Sequence, residues 1–181
     1  MIYAILGKSS SGKTTITKEL VKRGLGNQII TTTTRPIRKK EENENDYFFT
    51  CERMFGMMKE QDKLISIFVS ENGWKYGINT DQLQSKEDLF VVIEPSGYDQ
   101  LIDYIGKENI TSILIESLYS TRMVRSIKRG DSFEEVLRRA HSDDQDFEGI
   151  NEKVDYIILN SFDYERSLDH IIDEIQITIG K

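Results

Sequence analysis

Gly7-Lys8-Ser9-Ser10-Ser11-Gly12-Lys13-Thr14 sets two glycines five residues apart, with a lysine and a hydroxyl residue directly after the second. That spacing suits a phosphate cradle. Glycines let the backbone curl so that successive N–H groups face a phosphate, and a helix starting there adds its positive end. Gly7, Ser9, Ser10, Ser11 and Gly12 form the turn; Lys13 reaches the terminal phosphates, the Thr14 hydroxyl is a ligand for Mg²⁺, and Thr15 completes the set. Such a loop serves hydrolases, switches and kinases alike, so it leaves the acceptor open. Thr31-Thr32-Thr33-Thr34-Arg35-Pro36-Ile37-Arg38 then presents two arginines three residues apart, followed by Asp46-Tyr47-Phe48. The forks of Arg35 and Arg38 with the Tyr47 phenol can hold a phosphate dianion, although two such arginines equally suit solvated surface positions.

These residues need a scaffold, and the apolar runs supply one. Strand-like runs at 2–6, 28–33, 89–94, 110–116 and 154–159 alternate with helical stretches, which predicts a parallel α/β sheet flanked by helices. The runs at 89–93 and 113–115 are apolar on both faces and are candidates for central strands. A helix is predicted to open near Lys13, and another to run from about Asp163 to Ile177 on the spacing of Tyr164, Leu168, Ile171, Ile172 and Ile175. Residues 34–79 depart from the alternation, with short strands around one helical segment, and read as an insertion. Residues 120–146 carry Arg122, Arg125, Lys128, Arg129, Arg138 and Arg139 and read as a mobile basic lid. The rest, at 1–33, 80–119 and 147–181, forms the core of one domain spanning 1–181.

Taken in order, these segments resemble the guanylate kinase family over nearly the whole chain. The loop from Gly7 to Thr15 resembles its phosphate-binding loop, and Thr31 to Arg38 its monophosphate-binding segment. Asp46-Tyr47-Phe48, Trp74-Lys75-Tyr76-Gly77, Val92-Ile93-Glu94-Pro95-Ser96-Gly97, Arg125 with Arg129-Gly130, and Asp155-Tyr156-Ile157-Ile158-Leu159-Asn160 resemble later motifs. The resemblance implies a P-loop fold with a monophosphate-binding insertion and a helical lid. It also implies phosphorylation of a nucleoside monophosphate, GMP or dGMP to GDP or dGDP, by Mg-ATP. By the same resemblance Arg35, Arg38, Tyr47 and Tyr76 hold the acceptor phosphate, and Thr31 touches its base. Arg125 and Arg129 close over the ATP phosphates, Glu94 stands near the metal, and Asn160 lies near the adenine. The two tyrosines and Asn160 also suit ordinary packing and turn roles. Where the family places a base-reading glutamate, the sequence reads Ser66-Ile67-Phe68, with Glu71 a few residues on.

Composition narrows the classes further. With 24 basic and 31 acidic residues among 181, the net charge of -7 argues against nucleic acid as a partner. Cys51 is the single cysteine, which excludes an intramolecular disulfide and fits a cytoplasmic setting. The apolar start Met1–Leu6 is too short for a membrane span. His141 and His170 lie in charged helical stretches and are given no role. Nucleotides are the expected partners, with a monomer or a homodimer both open. Two alternatives stand beside the nucleotide kinase: a kinase for another nucleoside monophosphate or for ribose bisphosphate, and a noncatalytic module that grips phosphopeptides. Intact Lys13 and Thr14 favour the enzyme.

Overall fold

The computed structural model describes residues 1–37, 45–160 and 167–181. The strands in chain order are β1 (Ile2–Leu6), β2 (Asn27–Gln28), β3 (Thr32–Thr33), β4 (Phe48–Phe49), β5 (Leu64–Val69), β6 (Lys75–Asn79), β7 (Leu89–Val92), β8 (Ile110–Glu116) and β9 (Tyr156–Leu159). The helices are α1 (Lys13–Lys22), α2 (Glu52–Glu60), α3 (Pro95–Ile105), α4 (Tyr119–Arg129), α5 (Phe133–Asp146) and α6 (Leu168–Thr178).

Five strands form a parallel sheet in the order β2-β7-β1-β8-β9. All five residues of β1 are buried, because helices cover both faces and alternate side chains point to opposite sides. Ile2, Ala4 and Leu6 join a cluster with Tyr98 and Leu101 of α3, whereas Tyr3 and Ile5 join Ile16 and Leu20 of α1 and Ile171, Ile172 and Ile175 of α6. Fully burying one such isoleucine or leucine contributes about 1.5–3 kcal/mol, so this three-layer arrangement holds the sheet fixed. The chain order places the loop after β1 and the end of β7 beside each other at the carboxyl edge, where ligands of open α/β sheets bind.

The remaining strands make a second, four-stranded sheet ordered β4-β3-β6-β5. Phe55 of α2 is buried against it, close to Gly77. One consequence was not legible beforehand: the run 28–33 is not one strand. It divides between the two sheets, β2 in the first and β3 in the second, with Ile29-Ile30-Thr31 crossing between them. The Gln82 amide pins that crossing, accepting from Ile30 N at 2.8 Å and donating to Ile30 O at 3.0 Å. Three other boundaries move inward. The run 89–94 ends as a strand at Val92, since Glu94 caps α3 and Pro95 occupies its first turn, where a missing N–H is harmless. The run 154–159 begins its strand at Tyr156. The last helix starts at Leu168, where the Ser167 hydroxyl accepts from His170 N; Asp163 and Tyr164 lie outside the described residues.

Candidate active site

The loop from Gly7 to Gly12 leaves β1 and turns into α1. Gly7 (φ +149°) and Gly12 (φ +105°) adopt backbone that side chains avoid, and space forbids one in any case. A Cβ on Gly7 would lie 2.5 Å from Ile115 O, and one on Gly12 would collide with the Asn160 amide. Ser10 is held at φ +62° without being glycine. Lys13 Nζ donates to Gly7 O and to Lys8 O, the latter at 3.2 Å, which curls the side chain over the loop. Thr14 and Thr15 are exposed at the first turn of α1.

This loop forms one end of a cavity of about 690 Å³, large enough for nucleotide-sized ligands. Thr31, Arg35, Tyr47 and Tyr76 line the same cavity, together with Glu94, Arg125, Arg129 and Asn160. The site residues read from sequence therefore converge, apart from Arg38, which lies outside the described residues, and Gly7, which shapes the loop beneath. Arg35 is buried, with its guanidinium 5.2 Å from the Tyr47 ring centroid and 5.6 Å from that of Phe49. Tyr47 and Tyr76 meet edge to face at 6.2 Å.

Arg125 and Arg129 differ in posture. Arg125 Nη1 donates to Ser11 O at 3.0 Å and its Nη2 to Asn160 Oδ1 at 3.0 Å, while Asn160 Nδ2 donates to Ser11 O at 2.7 Å. Arg125 thus braces the carbonyl side of the loop. Arg129 pairs with Asp131 and reaches Ser126. The Glu94 carboxyl is pushed up by burial, with Lys13 opposing the shift and Asp143 and Asp146 adding to it.

Several contributors were missed by sequence reasoning. Asp143 of α5 accepts from Ser9 N at 2.9 and 3.1 Å, accepts from Ser9 Oγ at 3.0 Å, and pairs with Arg122 at 2.9 Å. Both side chains are about nine-tenths buried, so the stretch read as a mobile basic lid holds a buried ion pair. Arg138 and Arg139 also line the cavity, and Arg138 Nη1 meets Glu71 at 2.7 Å. Glu71 thereby links the β5–β6 turn to α5. No local pattern marked Asp143, which sits in the acidic run Asp143-Asp144-Gln145-Asp146 and looks solvated.

The guanylate kinase family profile matches residues 1–178. This chain belongs to the guanylate kinase family. A guanylate kinase from Wigglesworthia glossinidia brevipalpis is 30% identical, over 94% of this chain and 84% of that protein. One from Thermotoga maritima is 28% identical, over 99% and 84%. The crystal structure of guanylate kinase from Anaplasma phagocytophilum superposes with a TM-score of 0.69 at 19% identity, covering 98% of this chain and 84% of that one, and supports the fold. A guanylate kinase is an ATP-dependent phosphotransferase, and the chain has the two-ended cavity such a reaction requires.

The donor set fits a magnesium nucleotide. A glycine cradle that a Cβ would fill, the Ser11 hydroxyl buried with no partner among the described residues, and exposed hydroxyls at the N-terminus of α1 are the groups a triphosphate and its hard cation take. Among the described residues no cluster of three or more His, Cys, Asp or Glu could hold a metal alone. Among the described residues no helix is long and apolar enough to cross a membrane.

Proposed function

We propose that the chain transfers the γ-phosphoryl group of Mg-ATP to the phosphate of GMP, giving ADP and GDP, with dGMP as a second acceptor, in the cytoplasm. The observation that carries this reading is the single cavity shared by the loop around Lys13 and the cluster of Arg35, Tyr47 and Tyr76. We assign the ATP triphosphate to the loop residues Ser9 to Thr15 and the acceptor phosphate to Arg35, Tyr47 and Tyr76, with Arg38 beyond the described residues. Thr31 is assigned to the acceptor nucleotide and Asn160 to the donor side. Residues 34–79, joined by β3, act as the acceptor-binding insertion, and 120–146 act as the lid over a core of 1–33, 80–119 and 147–181.

The protein contributes position and positive charge, with no side-chain nucleophile. Arg35 holds the acceptor phosphate with its oxygen in line with the γ-phosphorus, and the bond from that phosphorus to the β-bridging oxygen breaks as the new one forms. Lys13 neutralises charge gathering on the transferred group and on the leaving ADP. Arg129, with Arg138 and Arg139 of α5, adds further positive charge over the centre. Thr14 would ligate Mg²⁺, which supplies charge neutralisation and orientation of the phosphates, and Glu94 would orient water on it. Lid closure keeps bulk water from competing as acceptor.

The test is ADP release from Mg-ATP with GMP, dGMP, AMP, UMP, CMP, dTMP or no acceptor. Turnover confined to GMP and dGMP, and abolished by joint Lys13→Ala and Thr14→Ala substitution, is expected. Release equal to the no-acceptor control for every monophosphate would overturn the reading.

A further inference from the structure

Helix α4 ends at Gly130, whose φ of +96° suits a residue without a side chain. Gly130 N donates to Ile127 O at 2.9 Å and Asp131 N to Ser126 O at 3.2 Å, so the residue after the glycine is tied back to the helix. The Asp131 side chain is only 12% exposed. One of its oxygens, Oδ2, collects the donors: Ser126 Oγ at 2.8 Å, Arg129 Nε at 3.1 Å, and Arg129 Nη2. Burial pushes the Asp131 carboxyl up, but the hydrogen bonds from Arg129 and Ser126 outweigh it and hold the group below the usual carboxylate range.

Arg129 lines the cavity, and Asp131 grips only one edge of its guanidinium. The Nε and Nη2 edge meets Asp131 and, at 3.3 Å, Ser126 Oγ, while the Nη1 group has no hydrogen-bond partner among the described residues. That open edge keeps N–H groups for phosphate oxygens. Arg139 stands farther from Asp131, at 3.9 Å, and is held by Glu135 at 2.7 Å, so Arg129 is the side chain that depends on this carboxylate. The network continues into the phosphate loop. Ser126 Oγ gives its proton to Asp131, which makes Ser10 Oγ the donor across the 3.1 Å contact between the two hydroxyls. Ser10 is the loop's left-handed residue, so the loop and Arg129 are joined through Ser126 and Asp131.

We propose that Asp131 is a positioning residue for phosphoryl transfer, holding Arg129 aimed at the transferring group before ATP arrives. The inference rests on the transfer reaction assigned above. Ordering a long arginine side chain at the moment of reaction is unfavourable, and one that is already ordered adds its charge without that loss. Arg129 is 42% exposed, so the pair adds little to stability and its effect lies in orientation.

ADP release with GMP is measured on wild type, Asp131→Ala, Asp131→Asn, Arg129→Ala and the double variant of Asp131→Ala with Arg129→Ala, with melting followed on each. Asp131→Ala is expected to lower kcat about fivefold to tenfold, the size of ordering one long side chain, while KM for GMP stays within about twofold. Asp131→Asn, which keeps an acceptor but no charge, is expected to fall less, and it stands in should the alanine variant fail to fold. In the Arg129→Ala background, removing Asp131 is expected to cost nothing further. The Arg129 Nε–H resonance should be distinct and slow to exchange with water in wild type, and lose both properties in Asp131→Ala. A folded Asp131→Ala with unchanged or raised kcat overturns the proposal. So does a loss that persists in full without Arg129, or one that appears in KM alone. Wild type that turns over no monophosphate overturns this proposal and the transfer reaction together, whereas a working wild type with an indifferent Asp131→Ala overturns this proposal alone.

Discussion

Replacing Asp143 by alanine should destabilise the chain far more than the loss of a typical lid residue. The substitution strips Arg122 of a partner 2.9 Å away at a site where both side chains are about nine-tenths buried. Arg122 Nε already lacks a hydrogen-bond partner among the described residues, and the Tyr119 ring, 5.6 Å from the guanidinium, offsets the charge only in part. Removing one member of a buried ion pair costs about 3–5 kcal/mol. The Ser9 amide and hydroxyl lose their acceptor as well. Burial pushes the Asp143 carboxyl up against the pull of Lys13, Ser9 and Arg122, so part of the attraction merely offsets desolvation and the lower end, about 3 kcal/mol, is expected. For a chain of this size that is a fall in Tm of about 6–12 °C, read by circular dichroism or calorimetry. The pair Arg122→Met with Asp143→Ala removes the stranded charge and should recover more than half of the loss. A single variant melting within 2 °C of wild type, or a double variant no better than the single, would refute the buried-pair argument.

Two pH effects follow from the same helix and its neighbours. Arg138 and Arg139 hold the Glu135 carboxyl down to about 2 from an ordinary 4.5. A depressed carboxyl stabilises the fold above its unfolded value, so this contribution is present above about pH 4.5 and lost as pH falls towards 2. Acid titration of Glu135→Gln should lack that component, and a curve parallel to wild type through the window would contradict it. For Glu94 the shift is upward, so the site loses its carboxylate at a higher pH than an ordinary glutamate would. The kcat/KM profile should therefore fall on its acid side above the usual carboxylate range, and Glu94→Gln should lower kcat while flattening that limb. An acid limb unchanged in the variant would assign it elsewhere.

How much of this was legible depended on whether a feature carried its own local signal. Gly7 to Thr14 did, because two glycines at that spacing before a helix have few other uses. The buried parallel strands did too, since Leu89–Val92 of β7 and residues 113–115 within β8 are apolar on both faces. The division of 28–33 did not, because Ile29-Ile30-Thr31 looks the same whether a strand continues or crosses to another sheet. What decides is the Gln82 amide, fifty-two residues away. Arg122 and Asp143 were illegible for a related reason. Each alone reads as a solvated charge, and only their meeting across two helices allows both to be buried. Ser66, at φ +52° in β5, left no trace in the residue pattern, since a left-handed serine has no propensity signature.

The Gln100 side chain of α3 bears on how copies of this chain meet in solution, because its amide bonds the backbone of β5 at Ile67. Strand β5 is an outer strand of the second sheet, with β6 on one side only. Outer strands present unsatisfied backbone groups that template the addition of a strand from another molecule, which is a route to aggregation. At Ile67 both groups are already taken by the Gln100 amide, and a β-bulge between Ile65 and Phe68 twists the strand out of the flat geometry that stacking needs. That one amide therefore acts as a stopper on the sheet.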